Sequence, residues 1–206
     1  MTVDFGYNWH FGTAAPSGIE FDFRTVALHE ITHSLGFASV IDEVSGDGLN
    51  VTDGGNFFGD TYSTFDSFLV DGSSTQLINP APIDFNAAFT DGTDDDNIID
   101  VFTSGAIYFN GPNAVAAYGG PIPLYAPAIY QAGSSTSHFD TTDPTLAGDP
   151  MLHSIGVGDI RRTYSDLNIG VLQDIGYSII LPVPEPSSAT LLGASLLCLF
   201  GIRRRK

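Results

Sequence analysis

The segment that most restricts how this chain can fold runs from His29 to Gly36 and reads HEITHSLG. It contains two histidines four positions apart, with Glu30 directly after the first. In a helix, residues four apart lie one turn apart on the same face, so His29 and His33 can bind a single Zn²⁺. Glu30 then lies beside that face, where its carboxylate can take a proton from a water that the metal activates. The segment therefore predicts a metal-binding helix.

The flanking residues predict that this helix runs from Phe23 to Leu35. Asp22 is a residue type that accepts hydrogen bonds from the first N–H groups of a helix, and no Gly or Pro interrupts the segment. Gly36 can adopt the left-handed conformation that ends a helix. The chain then turns back, as it must, because two ligands on one helix have to be completed from elsewhere.

The third ligand is not next to the first two. The remaining histidines are His10, His138 and His153. The helical motif with Gly36 resembles the metzincin zinc peptidases, in which a third histidine follows the glycine by three residues. Here that position is Ser39, which is a poor zinc ligand. The chain departs from the compact metzincin pattern, and the third ligand must come from a distant segment.

A distant histidine followed by a methionine is similar to the leishmanolysin-like branch of metzincins. His138 lies shortly before Asp149–Leu152, which resembles the methionine turn beneath the metal of that family. The resemblance implies that His138 is the third ligand and that Met151 is the methionine of the turn. His153 stays open as an alternative ligand, and Asp42 as a weaker oxygen donor.

The resemblance implies an α+β, metzincin-like zinc peptidase domain over residues 1–181. Within it we expect the active-site helix at 23–35, a long insertion at 37–137, and the third ligand and Met-turn in 138–181. The implied reaction is hydrolysis of peptide bonds in a protein or peptide substrate, with Zn²⁺ on the three histidines and Glu30 as general base. Three protein ligands leave one position for water, which distinguishes a catalytic zinc from a closed structural one.

Residues 182–206 have a different composition from the rest of the chain. A proline-broken linker, Pro182–Ser188, is followed by the apolar Ala189–Ile202 and by the basic Arg203–Lys206. This order, with Pro-Glu-Pro at 184–186, resembles the PEP-CTERM sorting signal of bacteria, which an exosortase recognises and removes. The resemblance implies a hydrophobic helix at 189–202, transient membrane anchoring through it, and an extracytoplasmic location, secreted or at the cell surface. A plain tail anchor is the competing interpretation.

The distribution of charge agrees with this division. The formal net charge is −17, and four of the seven basic residues lie in the tail. Residues 1–181 therefore carry 23 acidic residues against three basic ones, a net charge of −20. Such a surface repels nucleic acid and anionic membranes, so we exclude nucleic-acid binding and expect membrane contact only through the carboxyl-terminal helix. The single cysteine, Cys198, rules out an intramolecular disulfide.

The amino-terminal residues lack the features of an export signal. Met1 leads directly into Thr2–Tyr7, without a basic start or an apolar core. Because the carboxyl-terminal tail is typical of exported proteins, we expect the sequence to be truncated. The missing part would contain the export signal and strands of the amino-terminal sheet.

Elsewhere the pattern predicts several short elements. Ile98–Phe102 and Ala106–Phe109 read as strands joined by a turn, whereas Thr64–Val70 fits either a strand or a short helix. Proline, cap and glycine signals predict two further helices. The first is Pro112–Tyr118, which ends at Gly119. The second is Leu167–Ile175, which has Ser165 or Asp166 as its N-cap and is followed by Gly176.

Two aspartate-rich loops, Asp42–Asn56 and Asp91–Asp100, offer oxygen atoms for Ca²⁺, although neither has EF-hand spacing. Solvated acidic turns are the competing interpretation. The corresponding alternative function is a non-catalytic surface or matrix protein with a structural metal site and acidic, Ca²⁺-binding loops. The carboxylate of Glu30 favours the enzyme, because a purely structural site has no use for a base beside the metal.

Overall fold

A computed structural model of the chain describes residues 3–43, 45–53, 56–89 and 98–180, which form short helices and small sheets. The helices are α1 (Phe23–Ser34), α2 (Ile98–Phe102), α3 (Pro112–Tyr118) and α4 (Asp166–Asp174). The strands are β1 (Trp9–His10), β2 (Phe21–Asp22), β3 (Leu49–Asp53), β4 (Asn56–Thr61), β5 (Leu69–Asp71), β6 (Ile78–Pro80), β7 (Ile83–Phe85), β8 (Ile107–Phe109) and β9 (Ile122–Pro123). Single 3₁₀ turns occupy Asp66–Phe68, Ala87–Phe89 and Pro144–Leu146.

Within the described part of the chain, the strands form four small sheets. Strands β1 and β2 pair in parallel, whereas β3 with β4 and β6 with β7 form antiparallel pairs. The largest sheet is antiparallel and places β8 between β5 and β9. Isolated bridges then join Leu124 to Phe139 and Phe139 to Leu152. These bridges hold the segment that carries His138 beside the one that carries Met151.

Helix α1 forms as its local signals predict. The Asp22 carboxylate accepts hydrogen bonds from the backbone N–H of Thr25 at 3.1 Å and from its hydroxyl at 2.7 Å. The helix ends at Ser34, one residue earlier than predicted, and Gly36 has a φ of +99°. A left-handed glycine satisfies the last carbonyl groups of the helix and reverses the chain.

A buried ion pair anchors the start of α1 to the carboxyl-terminal half of the domain. Asp22 is fully buried and pairs with Arg162, whose Nη2 and Nε donate to the two carboxylate oxygens at 2.6 and 2.8 Å. The other N–H groups of Arg162 donate to backbone carbonyls of Thr13 and Ala14. One side chain therefore joins two amino-terminal segments to a segment about 140 residues later.

An aromatic core connects α1 to the insertion and to the segment of His138. Phe37, which follows α1, lies 5.1 Å from Phe65 and 5.2 Å from Phe139 between ring centroids. Phe65 in turn lies 4.8 Å from Phe109 of β8. All four rings are fully buried. Aromatic pairs at these distances add to the burial of their surfaces, so the cluster fixes where the chain re-enters next to α1.

The insertion leaves and returns at one place. The backbone N–H of Ser39 donates to Oγ of Ser137 at 3.1 Å. Ser39 occupies the position where a compact metzincin motif has its third histidine, and Ser137 directly precedes His138. The insertion between them therefore brings His138 back next to Ser39, where a compact metzincin motif would have its third histidine.

The prediction of a strand at Ile98–Phe102 is wrong, because this segment is the one-turn helix α2. The neighbouring prediction of a strand is confirmed by β8. Both edges of β8 are already paired, with β5 and with β9, so it leaves no edge for a strand at 98–102. Phe102 is buried in the core while Asp100 is exposed, and this contrast between positions two apart is given by a helical turn and not by an alternating strand.

The other short elements agree with the sequence pattern. Thr64–Val70 contains both predicted possibilities, a 3₁₀ turn at Asp66–Phe68 and then the start of β5. Helix α3 ends at a left-handed Gly119, and α4 begins with a capping box between Ser165 and Asn168. Helices α3 and α4 touch closely, because a Cβ on Gly170 would lie 2.8 Å from backbone atoms of Ala114.

No helix in the described ranges is long and apolar enough to cross a bilayer. The hydrophobic helix predicted at 189–202 and the basic end lie outside the described residues, as does most of the loop from Asp91 to Asp100. The assignment of residues 1–181 to a metzincin-like α+β fold stays a prediction.

We expect Gly170→Ala to lower the free energy of unfolding by about 1–2 kcal/mol. The added methyl group meets main-chain atoms of α3 that cannot move aside, and this overpacking outweighs the higher helix propensity of alanine. Urea denaturation measures the change. Gly120→Ala is the matched control, because its Cβ would meet nothing within 4 Å, and an equal loss in both variants would contradict the prediction.

We expect Asp22→Asn to remove part of the acid sensitivity of the fold. Hydrogen bonds from Arg162 lower the pKa of Asp22 from 3.8 to about 2, so the stabilisation is complete above pH 4 and is lost as the pH falls toward 2. This shift is worth about 2 kcal/mol. Urea denaturation between pH 7 and pH 2 should show a smaller decrease for the variant, and identical pH profiles would contradict the assignment.

Candidate metal centre

Three imidazole rings meet at the side of α1. The Nε2 atoms of His29 and His33 are 3.0 Å apart, and Nε2 of His138 lies 3.1 Å from each of them. His29 and His33 come from successive turns of α1, while His138 comes from the segment that returns beside Ser39. The structure thus brings together the three residues that the sequence predicts as ligands, although more than 100 residues separate His138 from the other two.

Each ring is oriented by a backbone carbonyl through its other nitrogen. The Nδ1 atoms of His29, His33 and His138 each lie 2.7 Å from a carbonyl oxygen. These oxygens belong to Pro150, Phe37 and Ser134, in that order. Because a carbonyl oxygen can only accept a hydrogen bond, each Nδ1 must carry the proton. The arrangement is the one that holds metal-binding histidines in a single tautomer.

With the proton on Nδ1, the neutral form of each ring directs an unprotonated Nε2 toward the other two. Burial is the main cause that lowers the pKa of His29, and it lowers the pKa of His138 to about 3, so these rings stay neutral at physiological pH. Three lone pairs about 3 Å apart cannot hydrogen-bond to one another. They repel unless a cation lies between them, so the three histidines form a candidate metal site.

The donor set suits a borderline divalent ion. Imidazole nitrogen binds zinc at about 2.0–2.1 Å, so two ligands of a tetrahedral zinc lie roughly 3.3 Å apart. The observed separations of 3.0–3.1 Å are close to this value. Imidazole also binds copper, nickel and iron, so the nitrogen atoms alone define the class of metal rather than the element.

Glu30 lies in the same cavity as His29, and its charge acts on the His29 ring. The cavity has a volume of about 130 Å³ and is also lined by Pro150 and by residues 152–155. Within the described residues, the Glu30 carboxylate makes no hydrogen bond or ion pair. It is therefore available to a water or a substrate group in the cavity.

Met151 is fully buried, one residue after the carbonyl that orients His29. The turn that carries it is held by Asp149, whose carboxylate accepts from the backbone N–H of Met151, from Asn168 of α4 and from Ser165, the N-cap of that helix. Burial raises the pKa of Asp149. These hydrogen bonds hold the turn between α4 and His29, and its assignment as a Met-turn beneath a metal stays a prediction.

The alternative ligands lie elsewhere. His153 is stacked on Tyr125, with centroids 3.7 Å apart and planes 13° from parallel, and it lines the cavity instead of joining the three rings. Asp42 accepts hydrogen bonds from Ser45 in a turn.

Within the ranges that the structure describes, the three histidines are the one group of at least three ligand-type side chains close enough to share an ion. The aspartates of the described part of Asp42–Asn56 form no such group. Most of the loop Asp91–Asp100 lies outside the described residues. Binding of Ca²⁺ therefore stays a prediction.

Several residues of the site have no signal in the sequence. The three carbonyl acceptors are main-chain groups, which any residue could supply. Arg161 lines the cavity with Glu30, and His153 lies in the same wall. The Asp-Pro-Met-Leu segment pointed to Met151, but its direct contribution to the cluster is the carbonyl of Pro150.

Comparison with known proteins identifies the tail. The family model of the PEP-CTERM protein-sorting motif matches residues 182–206. The prediction of this signal is confirmed, and the motif implies that the protein is exported, sorted to the cell surface and processed by an exosortase. The match does not extend to residues 1–181. No curated protein and no solved structure matches the chain.

We expect the purified chain to bind one zinc ion, and His138→Ala to weaken binding more than about 100-fold, because the variant retains only two of three ligands. Metal analysis after equilibration with a chelator-buffered zinc series measures the affinity. His10→Ala and His153→Ala are the controls, since neither ring joins the cluster. Zinc loss in His153→Ala with retention in His138→Ala would reverse the ligand assignment.

Proposed function

We propose that residues 1–181 form a zinc-dependent endopeptidase whose tail directs the exported protein to the cell surface. The observation that carries the proposal is the convergence of three Nε2 atoms next to Glu30, whose carboxylate has no hydrogen bond or ion pair within the described residues. The three nitrogens suit zinc, the acid is within the same cavity as His29, and the sorting motif provides the extracytoplasmic destination.

Zinc in such a site would polarise a substrate carbonyl and lower the pKa of water toward neutrality. The chain provides everything else. The carbonyls of Pro150, Phe37 and Ser134 hold the three rings in the Nδ1–H tautomer, so that the ligand nitrogens are ready without rearrangement. Preorganisation of this kind avoids the cost of ordering the ligands when the metal binds.

Glu30 has the position and the freedom of a general base. Its carboxylate is held on the helical turn that carries His29 and has no partner in the described residues that would compete for a proton. We assign to it the removal of a proton from the attacking water and the delivery of that proton to the leaving amine.

The number of ligands favours catalysis over a structural role. Structural zinc sites are closed by four protein ligands, whereas the described part of the chain supplies three to this cluster. A non-catalytic surface or matrix protein with a structural metal would have no need of an open position or of a carboxylate beside it. That alternative is the second outcome of the following test.

We expect Glu30→Gln to retain stoichiometric zinc and to hydrolyse casein or a fluorogenic peptide about 100- to 10,000-fold more slowly than the unaltered chain. The amide keeps the shape of the side chain but cannot accept the proton, and loss of a general base costs this much. Zinc content, thermal melting and the hydrolysis rate are measured on the same preparations of the full chain.

Glu43→Gln is the matched control, because it makes the same chemical change outside the cavity and should leave the rate unaltered. A zinc-loaded chain that cleaves no peptide would support the structural role. Hydrolysis at an undiminished rate by Glu30→Gln would disprove the assignment of the base.

A further inference from the structure

The cavity beside His29 and Glu30 has the size of one side chain. Its volume is about 130 Å³. An apolar protein cavity of about 150 Å³ holds one benzene molecule, so this space accepts a side chain of medium length and excludes an indole ring. Val26, Leu152 and Ile155 supply apolar wall, while Thr25, Ser154 and Arg161 supply polar groups. A substrate bound for attack at the metal centre would place a neighbouring side chain here.

Arg161 is the permanent cation in this wall, and it is firmly held. Its side chain is 12% exposed, and Nη1 donates to the carbonyls of Ser154 at 2.9 Å and Asp149 at 3.4 Å. Nη2 donates to Asp159 at 2.9 Å. The backbone N–H of Arg161 also binds Thr25 of α1. The guanidinium is therefore held in place on a residue that lines the cavity, and its charge acts on the His29 ring.

Arg161 retains unused binding capacity. A guanidinium has five N–H donors, and three of those of Arg161 have acceptors. Its Nε–H and one Nη2–H have none within the described residues. Asp159 is 41% exposed, so water screens this ion pair and the positive charge of Arg161 is incompletely balanced.

The rest of the domain offers few competing cations. Residues 1–181 contain three basic residues. Arg162 is paired with the buried Asp22, and Arg24 is exposed on α1 and does not line the cavity. In so acidic a molecule, an arginine with free donors next to the metal centre is the group that would select a substrate by charge.

We infer that the cavity is the specificity pocket of the proposed peptidase and that it selects an Asp or Glu side chain next to the scissile bond through Arg161. This inference rests on the proposed function. The short acidic side chains fit the volume, and their carboxylate accepts the two unused N–H groups. Glu30 lies in the same wall and repels a carboxylate, so the acidic group is bound at the Arg161 side.

The first test is digestion of a diverse peptide library by the zinc-loaded full chain, with cleavage sites read by mass spectrometry. We expect enrichment of Asp and Glu at one position beside the cut. A peptide with Asp at that position should have a kcat/KM about 10- to 100-fold higher than the same peptide with Asn, the range expected for a hydrogen bond to a charged group.

Arg161→Gln should reduce this ratio to near one, and Arg161→Lys should restore part of it by returning the charge. Arg24→Gln is the matched control, because it removes the same charge from an exposed site and should keep the ratio. Zinc content and thermal melting show whether each variant folds. Active enzyme without acidic preference, or an unaltered preference in folded Arg161→Gln, would overturn the inference.

A second readout does not depend on hydrolysis. N-acetyl-aspartate amide and its neutral isostere N-acetyl-asparagine amide are titrated into the zinc-free full chain, and binding is followed by NMR of the arginine side chains. We expect the acidic probe to bind at least 10-fold more tightly and to shift the Nε–H signal of Arg161. Absence of any peptide cleavage would contradict the proposed function. Equal binding of the two probes would contradict the inference that Arg161 selects an acidic side chain.

Discussion

The arrangement of the candidate site depends on the approach of three Nε2 atoms, which lie about 3 Å from one another with their lone pairs facing inward. With the Nδ1 protons committed to backbone carbonyls, no hydrogen bond can relieve their repulsion. Such an arrangement is unfavourable alone and becomes favourable when a cation binds. Metal binding in sites of this kind is coupled to folding, because the unfolded chain has no preformed site. A bound metal would thus stabilise the contact between α1 and the segment of His138.

Each of the three orienting carbonyls comes from a different structural unit, which explains how the site is integrated into the fold. Phe37 belongs to the turn after α1, Ser134 to the end of the insertion, and Pro150 to the turn before Met151. The aromatic contacts of Phe37 with Phe65 and Phe139 fix the first two units against each other. Asp149 and its partners on α4 fix the third.

The charge of the domain gives these contacts additional importance. A net charge of −20 over residues 1–181 destabilises the compact state through self-repulsion, and no intramolecular disulfide is possible in the chain. Two of the three arginines of this region join separate segments by hydrogen bonds. Arg162 donates to Asp22, and Arg161 donates to Ser154 and Asp159. A divalent cation on the histidines would add to the small positive charge of the domain. The sorting motif implies that this acidic domain is exported, and its processing by an exosortase would remove the four basic residues at the end of the chain.

Local patterns were sufficient for α1, for its cap at Asp22 and for the grouping of His29, Glu30 and His33, because helical spacing and capping act over a few residues. The tail was likewise identifiable from the order of its composition. The resemblance suggested His138, but only the tertiary structure places His138, and not His153, beside His29 and His33, because where the long insertion returns is not encoded locally. The prediction of a strand at Ile98–Phe102 was wrong because β8 pairs with β5 and β9, which local sequence patterns do not reveal. The carbonyl groups that accept from the three rings, and the cavity that Arg161 lines, became visible only in the tertiary structure. A main-chain oxygen is present in every residue, and the residues that line a cavity come from distant parts of the chain, so neither has a sequence signature.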